Sequence, residues 1–153
     1  MNLAADEVLN LNESFFVTQA DVGEVNEQGN QSGAAITDGD FNGDGFVDLA
    51  VGSPGEGPDA GSGAASIFLG SEAGLTTGSF ITQAAAGADD DEEDRFGAAL
   101  FAGDFNGDGF EDLVVAAPGE APDTDPRSGA VFIFPGSEEG ITAGFMITQT
   151  AAG

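Results

Sequence analysis

At 153 residues and 41% hydrophobic composition, the chain has length for one domain or a few small repeats and is too apolar for wholesale disorder. Its 28 Asp and Glu stand against two Arg, Arg95 and Arg127, with no Lys or His; the formal charge of −26 argues against nucleic acid as a partner and for cations. The 13 Phe come with no Tyr, Trp or Cys, so a disulfide framework and a thiolate metal site are excluded. Such a surface repels itself, favouring solubility but opposing compaction unless counterions or bound metal screen it. It is the surface chemistry of salt-adapted proteins, and a calcium-rich setting would serve as well.

The elements run as follows. LAADEVLNL, at residues 3–11, has the composition of a short helix with irregular apolar spacing, and FVTQA at 16–20 reads as a strand. MNLAADEVLNLNES lacks the basic flank and apolar stretch of an export signal, and no run approaches the ~18 to 20 apolar residues of a membrane helix. From Ser32 the chain repeats itself. SGAAITDGDFNGDGFVDLAVGSPGE returns 64 residues later as FGAALFAGDFNGDGFEDLVVAAPGE, beginning at Phe96. After a two-residue insertion, SGAASIFLGSEAGL from Ser62 returns as SGAVFIFPGSEEGI from Ser128. A last element occurs three times, as FVTQA from Phe16, FITQA from Phe80 and MITQT from Met146. The division is an N-terminal segment at 1–31, a first unit at 32–87 and a second at 88–153.

Within each unit the apolar runs are short and punctuated by Gly, Pro, Asp and Ser, which predicts strands and turns. In the second unit they are GAALFAG at 97–103, DLVVAA at 112–117, GAVFIF at 129–134 and FMITQ at 145–149. Four strands per repeat of this length make an all-β fold of two four-stranded antiparallel propeller blades.

The loop DFNGDGFVD carries oxygen-bearing side chains at its positions 1, 3, 5 and 9: Asp40, Asn42, Asp44 and Asp48, repeated as Asp104, Asn106, Asp108 and Asp112. Alternation sets them on one side of a curled backbone, and Gly45 and Gly109 stand where a positive φ is needed. The main-chain carbonyls of Phe46 and Phe110 at position 7 complete a hard-oxygen set of ~6 to 7 ligands with water, which suits Ca²⁺ at two sites per chain. An EF-hand shares the opening of this pattern but needs an acid at position 12 and flanking helices; Val51 and Val115 hold that position. The bland alternative is an acidic hairpin that binds nothing.

FG at Phe96 and Gly97, the loop DFNGDGFED and AAPG at 116–119 together resemble the FG-GAP repeat of integrin α-subunit β-propellers and their bacterial and archaeal relatives. The first unit departs from the pattern, with Ser32 for the Phe and GSPG at 52–55 for the GAP. The resemblance implies a metal loop joining the first and second strands of a blade, a structural rather than catalytic calcium, a scaffold or adhesion role, and an extracellular or cell-surface setting. It also implies that the metal loops share one face, opposite the inter-blade and second-to-third-strand loops.

Two blades cannot close a ring, since propellers need ~4 to 8. The expectation is a homo-oligomer of three or four chains making six or eight blades, with the strand at 16–20 pairing in a shared blade. A fragment of a longer propeller is the competing reading. ADDDEEDR at 88–95, with PGEAPDTDPRS at 118–128, offers an acidic surface to a protein or glycan ligand, or is a solvated loop. The triplets at 12–14 and 30–32 match the N-glycosylation pattern. The repeated Thr-Gln pairs, at Thr18, Thr82 and Thr148, are expected to lie in outer strands. With no His, Cys, Lys or Tyr, no nucleophile–base triad or Schiff base can form, and no nucleotide-binding glycine pattern occurs; a carboxylate-based glycoside hydrolase is the remaining catalytic option.

Overall fold

The computed structural model describes residues 29–121 and 128–148; the candidate helix at 3–11, the strand at 16–20 and the triplet at 12–14 lie outside the described residues. Alternating and β-branched apolar runs separated by glycine turns produce two four-stranded antiparallel sheets. The first holds β1 (Ala35–Gly39), β2 (Asp48–Ser53), β3 (Ala64–Leu69) and β4 (Thr76–Ile81) in sequence order. The second repeats this meander with β5 (Ala99–Gly103), β6 (Asp112–Ala117), β7 (Ala130–Phe134) and β8 (Phe145–Ile147). The registers correspond: Gly39 faces Asp48 across β1 and β2, and Gly103 faces Asp112 across β5 and β6. Each nine-residue loop therefore closes the hairpin between the first two strands of its sheet. Val51 and Val115 lie within β2 and β6, where an EF-hand would require a helix. Among the described residues no helix is long and apolar enough to cross a membrane.

The core lies between the sheets. Ile67, Phe68, Phe96, Leu113, Phe132 and Phe134 are almost wholly buried, and Phe96 packs edge-on against Phe132 and Phe134 with ring centroids 5.2 and 5.9 Å away. Segment 93–96 carries Phe96 there by pairing with the loop between β2 and β3. Glu93 N–H donates to the Ala60 carbonyl (3.0 Å), Arg95 N–H to Gly61 (2.9 Å) and Phe96 N–H to Ser62 (2.9 Å). Its other side packs on its own sheet, where Gly119 N–H donates to the Asp94 carbonyl at 2.9 Å. A Cβ on Gly119 would sit 1.9 Å from the Glu93 carbonyl oxygen, so the glycine of the AAPG stretch is required by close backbone approach.

The first unit keeps this geometry despite its departures in sequence. Gly55 N–H donates to the Asn30 carbonyl (3.0 Å), while Ser32, in place of the Phe, is exposed. The segment after β4 differs from expectation. β4 ends at Ile81, and Thr82 stands before a 3-10 turn, Gln83–Ala86, closed by Gly87 at φ 78°. Gln83 is buried in that turn rather than paired in an outer strand. Thr148 follows β8, and Thr18 lies outside the described residues.

Candidate metal loops and the acidic inter-blade turn

The two loops curl by turning their own acids onto their own backbone. Asp40 Oδ1 accepts from Asp44 N–H (3.1 Å) and its Oδ2 from Gly45 N–H (3.0 Å); Asn42 Oδ1 also accepts from Asp44 N–H (3.1 Å). Asp44 Oδ1 accepts from Phe46 N–H (2.9 Å), while its Oδ2 accepts from Asn42 Nδ2 (2.9 Å). The second loop repeats this: Asp104 accepts from Gly107 and Gly109 N–H, Asn106 from Asp108 N–H, and Asp108 from Phe110 N–H and Asn106 Nδ2. Gly45 and Gly109, at φ 86° and 95°, make the turn that a Cβ would strain. Positions 1, 3 and 5 are thereby gathered at the exposed tip of each loop.

Position 9 is placed differently. Asp48 is fully buried, and its two oxygens accept from Phe41 N–H (2.9 Å) and from Gly70 N–H (2.7 Å) between β3 and β4. Asp112 repeats this with Phe105 N–H and Gly136 N–H, both at 3.0 Å. Position 9 thus fastens the loop hairpin to the neighbouring turn, a role that the spacing of the loop alone does not disclose. Burial pushes the Asp48 carboxyl above its usual range; the two backbone N–H groups pull it down, and the charges of Asp44 and Asp40 push it up again.

Among the described residues no group of three acidic side chains is placed to hold a metal ion, and the loop oxygens accept from N–H groups of their own loop. The donor set itself fits a hard cation: carboxylates at positions 1, 5 and 9 and an amide oxygen at 3, all on one short loop.

The two loops are adjacent. Gly43, at the tip of the first, lies against the Phe110 ring, where a Cβ would approach within 2.6 Å. Glu111 binds the first loop twice, donating its N–H to the Asp40 carbonyl (3.0 Å) and accepting from Asp40 N–H through Oε2 (2.8 Å). Phe41 is wholly buried in this contact, and its carbonyl accepts from Ser137 N–H at 3.1 Å. Its repeat equivalent, Phe105, is 53% exposed beside Phe101 at 62%, their rings 5.9 Å apart. The second blade presents bare the face that the first blade has covered.

The acidic run 89–94 is not a uniformly solvated surface. Asp89, Asp91, Glu92 and Glu93 are exposed, Asp90 is half-buried, and Asp94 is buried. Asp94 Oδ2 accepts from Gln83 Nε2 (2.8 Å) and from Asp91 N–H (2.9 Å). Burial pushes the Asp94 carboxyl up against these two bonds. Glu120, also buried, is pushed up to about 7, first by burial and then by the charge of Asp94. At the matching place in the first unit, Asn30 donates through Nδ2 to Glu56. Asn30 is buried in that contact, so the triplet at 30–32 does not present its amide for glycosylation. The cluster of Gln83, Asp94 and Glu120 is a polar site that the sequence patterns do not single out; its only signal was the recurrent Gln of the Thr-Gln element.

A family model described as FG-GAP repeat matches residues 32–68 and 96–134, the two sheets with their loops. Integrin alpha-4 of Xenopus laevis is 35% identical over 125 residues, covering 76% of this chain and 11% of that protein. Integrin alpha-PS5 of Drosophila melanogaster is 42% identical over 87 residues, covering 53% and 8%. Phosphatidylinositol-glycan-specific phospholipase D of Bos taurus is 34% identical over 113 residues, covering 71% and 14%. The chain spans about a tenth of the length of these curated relatives.

Proposed function

The chain belongs to the FG-GAP repeat family, and on that premise we propose that it is a calcium-stabilised β-propeller module with a scaffold or adhesion role rather than a catalytic one. The observation that carries the metal assignment is the duplicated curl that brings Asp40, Asn42 and Asp44, and again Asp104, Asn106 and Asp108, to one loop tip. Asp48, Asp112 and the carbonyls of Phe46 and Phe110 would complete the two sets of ligands. Bound Ca²⁺ supplies positive charge that neutralises crowded carboxylates. The protein's own residues do the rest: position 9 holds each loop to the next turn, and Glu111 ties the first loop to the second blade.

The role is binding or support. None of the His, Cys, Lys or Tyr that activate nucleophiles is present, and the clustered carboxylates are used by the loops. The phospholipase named among the relatives matches over only 14% of its length, so its activity does not transfer with the repeat. Further copies of the chain are the partner that the bare face around Phe101 and Phe105 calls for, since the equivalent Phe41 is covered by a neighbouring blade. Three or four chains would give six or eight blades. The exposed acids Asp89, Asp91, Glu92 and Glu93 are then offered to a protein or glycan ligand, in the extracellular or cell-surface setting that the integrin relatives suggest.

Light scattering in millimolar calcium and after chelation tests this reading. A discrete trimer or tetramer in calcium that dissociates on chelation is the expected result. A monomer in both conditions would remove self-assembly and leave the bare face to blades of a longer parent. Calorimetric titration showing no calcium uptake would remove the metal assignment.

A further inference from the structure

The two units share a backbone but differ at one buried pair. In the first, the side chain of Asn30 donates to Glu56. In the second the equivalent positions hold Asp94 and Glu120, which are 3% and 7% exposed, and the only side-chain donor of the pair has become a second acceptor. Glu120 Oε1 accepts from Ala121 N–H at 3.1 Å, but its Oε2 is buried with no hydrogen-bond partner among the described residues. Gln83 is 0% exposed; its Nε2 donates to Asp94, and its Oε1 is likewise buried without a partner among the described residues. Both hydrogen bonds to Asp94 side-chain oxygens end on Oδ2. Among the described residues two buried oxygens from two chain segments are therefore unsatisfied beside Asp94: Gln83 Oε1 in the 3-10 turn after β4, and Glu120 Oε2 in the turn that follows β6.

Unpaired buried oxygens are costly, and a buried anion costs more, unless something positive meets them. Among the described residues, the charges that raise the Glu120 carboxyl are those of Asp94, Asp91 and Asp89. We propose that Asp94, Glu120 and the side-chain oxygen of Gln83 form a third cation site, separate from the two loops, that takes a hard divalent cation and pins the inter-blade turn to the second blade. Two carboxylates and one amide oxygen neutralise such an ion's charge and supply only hard donors. The first unit closes the same gap with an amide hydrogen bond, which is why one unit carries the site and the other does not.

Asp94→Asn rebuilds the arrangement of the first unit and is the variant of choice, because that arrangement already folds in this chain. Calcium bound per chain is counted by calorimetric titration at pH 8 for the parent and for Asp94→Asn, with Glu120→Gln as a second variant. The parent is expected to take up one more ion than either variant, whatever number the loops bind. After chelation Asp94→Asn is expected to melt above the parent, and saturating calcium should close the gap. Equal uptake by parent and variants overturns the proposal. A melting gap that closes on acidification but not on adding calcium also overturns it, because a shared proton would then bridge the pair.

Discussion

Asp48→Ala removes a carboxylate that holds two N–H groups, those of Phe41 and Gly70, at 2.9 and 2.7 Å inside the fold. Both residues are buried, so neither donor can turn to water when the acceptor goes. Each stranded donor costs ~1 to 3 kcal/mol, and relief from burying a carboxylate offsets part of that. A net loss of about 3 kcal/mol follows, which for a chain of this size lowers Tm by roughly 6 to 12 °C. Asp44→Ala makes the contrast, because its bonds to Phe46 N–H and Asn42 Nδ2 lie at the exposed loop tip. In chelator it should change stability by no more than about 0.5 kcal/mol. In calcium at a hundred times the dissociation constant, losing one site removes about 2.7 kcal/mol of linkage. Circular-dichroism melts of both variants, each with chelator and with calcium, separate the two roles. The reasoning fails if Asp48→Ala costs less than about 1 kcal/mol in chelator, or if its cost appears only when calcium is present.

Asp108→Ala should lose one calcium in calorimetric titration and lower Tm only in calcium; equal melting of variant and parent there would sink the structural metal. Phe96→Ala removes a wholly buried ring stacked edge-on against two others and should cost ~3 to 5 kcal/mol by urea denaturation. Phe105→Ser, at an exposed position, should leave the melt of the dissociated chain nearly unchanged yet abolish the oligomer seen by light scattering; an intact oligomer would show that this face is not the contact. Glu120 gives a pH signature in chelator. Its carboxyl is raised from 4.5 to about 7 in the fold, so its protonated form stabilises the native state below pH 4.5, and that contribution is lost as pH rises towards and through 7. Parent minus Glu120→Gln stability should therefore fall across that window, and a flat difference would contradict the placement of Glu120 beside Asp94.

The strands and loops were legible because each rests on a local rule. Apolar runs of strand length broken by glycine predicted β5 to β8 to within a few residues, and Val51 and Val115 placed the loops before strands rather than helices. Loop positions 1, 3 and 5 were legible for the same reason, since alternation over five residues is a local property. What escaped was set by distant partners. Asp48 reads as a fourth ligand from spacing; its burial and its hydrogen bond from Gly70 N–H, 22 residues on, are what spacing does not disclose. Asp94 reads as one of six equivalent acids, yet Gln83 and Glu120 bring it inside. No spacing rule connects these three residues.

The internal repeat turns each unit into a control for the other, because equivalent positions share a backbone and differ in side chain or in surroundings. Phe41 and Phe105 are the same residue in the same loop, and only the presence of a following blade separates full burial from 53% exposure. The sequence therefore keeps a large apolar side chain at a position where this chain alone does not bury it. Asn30 and Asp94 differ in side chain while Gly55 and Gly119 donate identically to their carbonyls, at 3.0 and 2.9 Å. The turn thus forms with either residue, and the acid is not needed to build it. A buried charge that the fold does not require, placed against a second one, raises stability only when something positive joins them. The proposed cation sites fit the whole surface, where 28 acids stand against two arginines and self-repulsion opposes compaction unless positive charge screens it.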